Sequence, residues 1–220
     1  MTNFELMESR HSVRKYIDKP IEEDKVALLQ AKVEEVNKIS GLHIQLFINE
    51  PECFKINNPV YGKITGCSNY FAMVGDKSAS IDIGYYGEML VLYAQEIGLN
   101  TCWIGGSYKK SLVEADESKG EKLHLIISVG YGETQGHPRK SKTPEEVSDV
   151  KADSPEWYKN GIKAALNAPT AINQQRFSFT RDGNVVTAKF GIFAYTKIDL
   201  GIVKYHFELG AGKENFEWAK

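Results

Sequence analysis

The sequence predicts an α+β fold, and three features carry that reading. First, residues 21–40, "IEEDKVALLQAKVEEVNKIS", set Val26, Leu29, Val33 and Val36 at helical spacing. Second, "LHIQLFI" (42–48) alternates as a strand does, and "NYFAMVG" (69–75) reads as another. "NTCWIGG" (100–106) and "LHLIISVGYG" (123–132) read as buried strand segments that each end in glycine. Third, "RFSFTRDGNVVTAKF" (176–190) has the form of a hairpin: Phe177 and Phe179 alternate before Asp182-Gly183, read as its two-residue turn, and Val185 and Thr187 alternate after it.

In chain order, residues 4–10 form a short helix that ends in the basic loop "RHSVRKY". The helix over 21–40 has Glu22, Glu23 and Asp24 in its first turn, where the helix dipole favours acids, and Gly41 stops it. Residues 84–98, "GYYGEMLVLYAQEIG", predict a helix with Met89, Leu92, Tyr93 and Ile97 on one face and Gly98 as its stop. Residues 132–155 are polar, hold three of the chain's seven prolines, and read as a connector. Ser154 and Pro155 then suit the N-cap and first position of a helix through "PEWYKNGIKAALN". A last helix follows from about Leu200.

The bulk numbers narrow the function classes. The chain has 220 residues, 42% hydrophobic and 25% charged, enough for a real core. A net charge of −2 gives no reason to expect nucleic acid, so any anion site must be a local cluster. Cys53, Cys67 and Cys102 form no CxxC pair and leave one over, which argues against a disulfide framework or zinc site and for a reducing compartment. The first residues lack the apolar run of a signal peptide, and no run of about 18 apolar residues occurs. A cytoplasmic protein with no membrane partner is expected.

Two basic clusters stand out. Arg10, His11, Ser12 and Arg14 gather two guanidiniums, an imidazole and a hydroxyl; Arg139, Lys140 and Lys142 flank Ser141 in the connector. Each suits either a solvated face or an anion site; brought together, they could hold a dianionic phosphate. Gly105-Gly106, after Trp103-Ile104, either ends a strand or lets a flat ligand approach the backbone. There is no GxGxxG and no Walker loop. A faint echo also runs through the chain. "FAMVGDKSASIDIG" (71–84) and "FAYTKIDLG" (193–201) both pair Phe-Ala with a later Ile-Asp-(Ile/Leu)-Gly, and chance and duplication both account for it at this level.

As a set, "RHSVRKY", "GEMLVLYAQEIGLNTCWIGG", "VGYG…PRKSKTPEEV" and "APTAINQQRF" resemble the FMN-dependent nitroreductase family, and the resemblance covers most of the chain. It departs from the family in order. The family's A-P-S-A-x-N-x-Q-P-W segment directly follows the first basic loop and its helix; here "GLHIQLFI" stands there. The segment recurs at 168–177, with Thr170 for serine, Arg176 for proline and Phe177 for tryptophan. In the family, FMN lies in a cleft at a homodimer interface, with this turn supplied by the partner. The resemblance therefore implies a reordered, fused pseudo-dimer. Residues 1–150 would be a nitroreductase-like half, and the shortened 151–220 would imitate the partner. Together they would make one FMN-binding unit, a three-layer α/β/α sandwich with a mostly antiparallel sheet and an internal pseudo-two-fold repeat. A monomer is then plausible, with homodimerisation left open.

The resemblance also implies roles. Arg10 and Ser12 would bind the FMN phosphate with His11 nearby, and Lys140 and Lys142, assisted by Arg139, would complete that pocket. Arg14 would lie at the N1/O2 edge of the flavin, and Gly105 and Gly106 near N5. Pro169, Thr170, Ala171 and Asn173 would form the opposite wall, and Lys63 would reach the pyrimidine edge. No metal and no side-chain general acid are implied. The implied activity is transfer of hydride from NAD(P)H through the flavin to a small nitroaromatic, quinone or similar acceptor. The alternatives are FMN binding without turnover and a reaction of the reductive-dehalogenase kind.

Overall fold

A computed structural model describes residues 1–56, 59 and 62–219. Helix α1 (Asn3–Ser9) starts on a reciprocal cap: the Thr2 hydroxyl accepts from the Glu5 N–H, and the Glu5 carboxylate accepts from the Thr2 N–H. Helix α2 (Glu23–Ser40) ends as expected on Gly41, at φ 71°. Strands β1 (Gln45–Phe47), β2 (Tyr70–Asp76), β3 (Asn100–Ile104) and β4 (Glu121–Gly130) form an antiparallel sheet of order β1-β2-β4-β3, with helix α3 (Ser80–Glu96) between β2 and β3. The connector holds the single turn α4 (Pro144–Val147) and leads to helix α5 (Glu156–Asn167). Then come β5 (Phe177–Asp182), β6 (Val185–Phe190), helix α6 (Thr196–Ala211) and β7 (Glu217–Trp218), a second sheet in which β7 runs parallel to β6. The α+β class holds, with the strands divided between two sheets. Among the described residues, no helix is long and apolar enough to cross a membrane.

Both faces of the first sheet are buried, because its strands alternate between two cores. Phe71 and Met73 of β2 and Leu125, Ile127 and Val129 of β4 join the core shared with α2, α3, α5 and α6. Tyr70, Ala72 and Val74 of β2, with Leu123 and Ile126 of β4, face a second core closed by Val13, Tyr16, Cys53, Phe54, Ile64 and Cys67. That second cover is made of extended chain and a 3-10 turn (Pro51–Phe54) rather than long helices. The basic loop is part of it, so folding this core fixes where the loop lies.

Several boundaries moved. The loop between β5 and β6 is Gly183-Asn184, because Asp182 pairs with Val185; Gly183, at φ 59°, supplies the positive φ that the tight turn needs. Helix α5 begins one residue later than read, with Pro155 as N-cap, and the Ser154 hydroxyl accepts from the Lys151 N–H instead. Of the α3 residues read as one face, Leu92 is buried, while Met89, Tyr93 and the C-cap Ile97 are half-buried; Ile83, Leu90, Val91 and Ala94 are also buried. The helix is packed on two sides, by the sheet and by α6, so a one-face reading of its period points between them.

The contact between α3 and α6 gives the echo a structural meaning. Both helices begin four residues before the positions read from the sequence, at Ser80 and Thr196, and neither has a side-chain N-cap to announce it. Ile81-Asp82-Ile83-Gly84 and Ile198-Asp199-Leu200-Gly201 therefore lie inside the helices rather than ahead of them. A Cβ added to Gly84 would stand 1.9 Å from the Ile198 carbonyl oxygen, and one added to Gly201 would stand 1.9 Å from the Ile81 carbonyl oxygen. The contact is reciprocal, as an isologous contact is. Only glycine allows backbones to come this close. The Phe-Ala part of the echo has no such counterpart: Phe71 and Ala72 are buried in β2, whereas Phe193 and Ala194 lie in an exposed loop.

Candidate functional site

The sheet places the first wall. Ser12 bridges to Thr101 of β3, and the Val13 N–H donates to the Thr101 carbonyl (3.0 Å). The Thr65 N–H donates to the Arg14 carbonyl (3.0 Å), holding the loop from its other side. Gly105, just beyond β3, lies under Tyr195 at the start of α6: a Cβ there would come within 2.4 Å of the phenol ring, and the Tyr195 hydroxyl donates to the Gly105 carbonyl (2.7 Å). The Arg14 side chain runs beside Gly62 and donates from Nη1 to the Ser12 carbonyl (3.4 Å).

The second wall is the turn that follows α5. It is strained: Ile172, Asn173 and Gln175 have φ of 48°, 55° and 43°. Left-handed backbone costs non-glycine residues on the order of 1–3 kcal/mol each, most for a β-branched residue such as Ile172. A set of hydrogen bonds holds the turn there. The Ala171 N–H donates to Asp199 Oδ1 (2.9 Å), and Gln174 Nε2 donates to Asp199 Oδ2 (2.6 Å). The Gln175 N–H donates to Thr170 Oγ1 (3.1 Å), Asn173 Nδ2 to the Lys140 carbonyl (2.7 Å), and Lys142 Nζ to the Gln175 carbonyl (2.8 Å).

Between the walls lie two adjoining cavities that share Ser12, Arg14, Pro169, Thr170 and Ile172. The first, of about 360 Å³, has a largely apolar lining: Ile64, Ile104, Leu125, Phe193, Ile198 and Ile202, with Gly105, Gly106, Ala171 and Asp199. The second, of about 480 Å³, is mainly basic, lined by Arg10, His11, Arg14, Lys15, His137 and Arg139 with one exposed acid, Glu133, and with Asn173 at its edge. One end suits a flat apolar group and the other an anion.

The charge at the basic end is incompletely compensated. Arg10 is buried 3.7 Å from Glu88. The same carboxylate accepts from Trp103 Nε1 (2.9 Å) and faces His206 Nε2 (2.9 Å). Burial, and then the charge of Arg10, push Arg139 down to about 10. Arg139 donates from Nη2 to the Leu166 and Ala168 carbonyls (3.0 and 2.6 Å), which ties it to the second wall. The Nε of both arginines is buried without a hydrogen-bond partner. The two guanidiniums thus lie in the field of one buried carboxylate, Glu88, and each buried Nε left without a hydrogen-bond partner costs about 1–3 kcal/mol.

The structure gathers most of the residues singled out from the sequence and leaves three aside. Arg10, His11, Ser12, Arg14, Gly105, Gly106, Arg139, Pro169, Thr170, Ala171 and Asn173 line one or both cavities. Lys63 does not: it is exposed and lines a separate open depression with Asp18 and Phe54. Lys140 is also exposed and contributes only its carbonyl, to Asn173, while the Lys142 ammonium is engaged by the Gln175 carbonyl. Neither lines the basic cavity, because the strained turn uses this stretch as a brace; of that cluster only Arg139 reaches the cavity. Sequence reasoning missed Tyr195, Ile198, Asp199 and Ile202 of α6, and also Glu88. The echo carried a signal for Asp199 but could not say whether Asp82 or Asp199 faced a cleft.

Comparison with known proteins agrees with this fold. A "putative nitroreductase" from Thermotoga maritima MSB8 superposes with TM-score 0.67 at 20% identity, covering 97% of this chain and 85% of that one. A "putative nitroreductase" from Exiguobacterium sibiricum 255-15, solved in complex with FMN, gives 0.54 at 16% identity, covering 69% and 98%. A nitroreductase family protein from Streptococcus pneumoniae TIGR4 gives 0.53 at 15%, covering 67% and 99%. The last two are matched almost whole by about two thirds of this chain. No curated protein sequence matches it. The family model described as "Putative TM nitroreductase" matches residues 2–211, and the chain belongs to that family.

Proposed function

We propose that the two cavities form one FMN site and that the protein is an NAD(P)H-dependent oxidoreductase acting on a small acceptor of the nitroaromatic or quinone kind. The observation that carries this reading is the pair of arginines at the end of an apolar slot, Arg10 buried and Arg139 half-buried, each with a buried, unpartnered Nε. An apolar slot beside a dianion-sized excess of positive charge fits a flat ring joined to a phosphate. The FMN bound in the Exiguobacterium protein of the same fold supports it.

On this reading Arg10 and Arg139 hold the phosphate, with Ser12 and His11 beside them. Arg14 stands at the junction of the cavities, where its charge favours the anionic form of a reduced ring. Gly105 and Gly106 let a ring approach the backbone, and Pro169, Thr170 and Ala171 close the far side. The apolar residues keep water from the reacting atoms. Bound FMN supplies hydride acceptance and donation at N5. Residues 1–150 give the phosphate grip and residues 151–220 the opposing wall, so one chain completes the site that ordinary members would share between two.

An absorbance spectrum tests the proposal. The purified protein, loaded with FMN, should show a flavin spectrum that NADPH or NADH bleaches anaerobically and a nitroaromatic or quinone restores. A bound flavin that no pyridine nucleotide reduces would leave a binding protein instead.

A further inference from the structure

Among the groups the proposed flavin chemistry leaves unused, Asp199 lines the apolar cavity. It is 5% exposed and lies one helical turn from Tyr195, the residue that touches Gly105. Among the described residues it contributes the cavity's single carboxyl group; the other titratable groups lining it are Arg14 of the basic loop, Cys102 of β3 and Tyr195 of α6. Among the described residues no salt bridge reaches Asp199. Its carboxyl is held from the second wall by the Ala171 N–H and by Gln174 Nε2, each of which occupies one lone pair of one oxygen. Its partner in the echo, Asp82, occupies the same place in the reciprocal helix contact and is exposed to solvent.

We infer that Asp199 is the proton donor to the acceptor bound in the apolar cavity. The inference rests on the proposed reading of the cleft. Reduction of a quinone takes two electrons and two protons. A hydride from the reduced flavin carries both electrons and one proton to one carbonyl oxygen. The second carbonyl oxygen takes the Asp199 proton as the carboxyl O–H bond breaks. Both C=O bonds become C–OH, the product is the hydroquinone, and the carboxylate regains its proton from solvent. In an apolar cavity water is a poor substitute, and a fixed acid within reach lowers the barrier. Burial supports the assignment by holding the Asp199 carboxyl up at about 6, close to where a general acid works well.

The test compares two acceptors. Asp199→Asn keeps the shape and the oxygen that meets the Ala171 N–H. With FMN bound and bleached by NAD(P)H, this variant should lose at least tenfold more in quinone reduction than in ferricyanide reduction, which takes electrons and no proton. Wild-type kcat/KM for the quinone should fall as pH rises through about 6, and that inflection should vanish in Asp199→Asn and persist in Asp199→Glu. Equal losses with both acceptors would leave Asp199 as a brace for the turn and nothing more and overturn the proposal, as would an unchanged inflection. Infrared titration of the cofactor-free protein gives an independent readout: a carboxylic C=O band should disappear near pH 6 in wild type and be missing from Asp199→Asn. If that band is absent from wild type the proton-donor role fails, whatever the flavin does; a flavin that is never bleached fails the oxidoreductase reading alone.

Discussion

The first turns of α3 and α6 carry the same Ile-Asp-x-Gly pattern and meet at the same reciprocal contact, yet they put their acids to opposite uses. Asp82 faces solvent, while Asp199 braces the strained turn and lines the apolar cavity. The glycines are equivalent: each receives the other helix's isoleucine carbonyl. The aspartates are not, because only α6 has the 166–175 turn packed beside it. A shared packing motif fixes how two helices cross; what their neighbours are decides which becomes a wall of a site.

This comparison can be broken at the glycines first. Gly84→Ala and Gly201→Ala each force a methyl onto a backbone carbonyl, and each should cost about 3 kcal/mol or more in urea unfolding. Because both push the same helices apart, the double variant should cost well under the sum. Clearly unequal single costs would show that the contact is reciprocal in outline only.

Asp199 comes next. In the folded protein Asp199 titrates at about 6 instead of its ordinary 3.8, so ionising it opposes folding. Stability is lost as pH rises from about 4 through about 6. Relative to Asp199→Asn, wild type should fall by about 3 kcal/mol across that window and stay parallel outside it. Chemical denaturation of wild type and Asp199→Asn at a series of pH values measures the difference.

The proposed grip on phosphate sharpens the contrast between the two walls of the cleft. Arg10→Ala should raise the FMN dissociation constant about ten- to a hundredfold, as expected for losing a charge-assisted contact of about 1.5–3 kcal/mol. Asn173→Ala, on the opposing wall, should raise it about three- to tenfold. Fluorescence titration of the cofactor-free protein compares them, and an Asn173 effect of nil would remove the C-terminal turn from the site. The smallest effect is electrical. Arg14→Ala should lower the bound flavin's two-electron potential by about 30 mV, the equivalent of about 1.4 kcal/mol, and change FMN affinity less than that. An unchanged potential in spectroelectrochemistry would take Arg14 away from the ring.

The legibility of the molecule followed the range of its interactions. Helix α2 was readable because its period, its acidic first turn and Gly41 are all local signals. Helices α3 and α6 were read four residues short because nothing local caps them; packing of one against the other extends them. Arg10, Arg14 and the glycine pair were found as chemistry-bearing types in short motifs. Lys140 and Lys142 have the same chemistry, and no sequence signal says that hydrogen bonds to a turn more than thirty residues later turn that stretch into a brace.

The sequence by itself determined the α+β class, the family resemblance, the two basic clusters and the displaced "APTAINQQRF" segment. These are encoded in residue type and short spacing, where hydrogen-bonding capacity and hydrophobic period act directly. Tertiary structure alone decided that Arg139 rather than its lysine neighbours joins Arg10, that a left-handed turn closes the cleft, and that Asp199 rather than Asp82 enters it. Each of those outcomes depends on burial and on partners far along the chain: the same carboxylate is a solvated charge on one helix and a reluctant acid on the other.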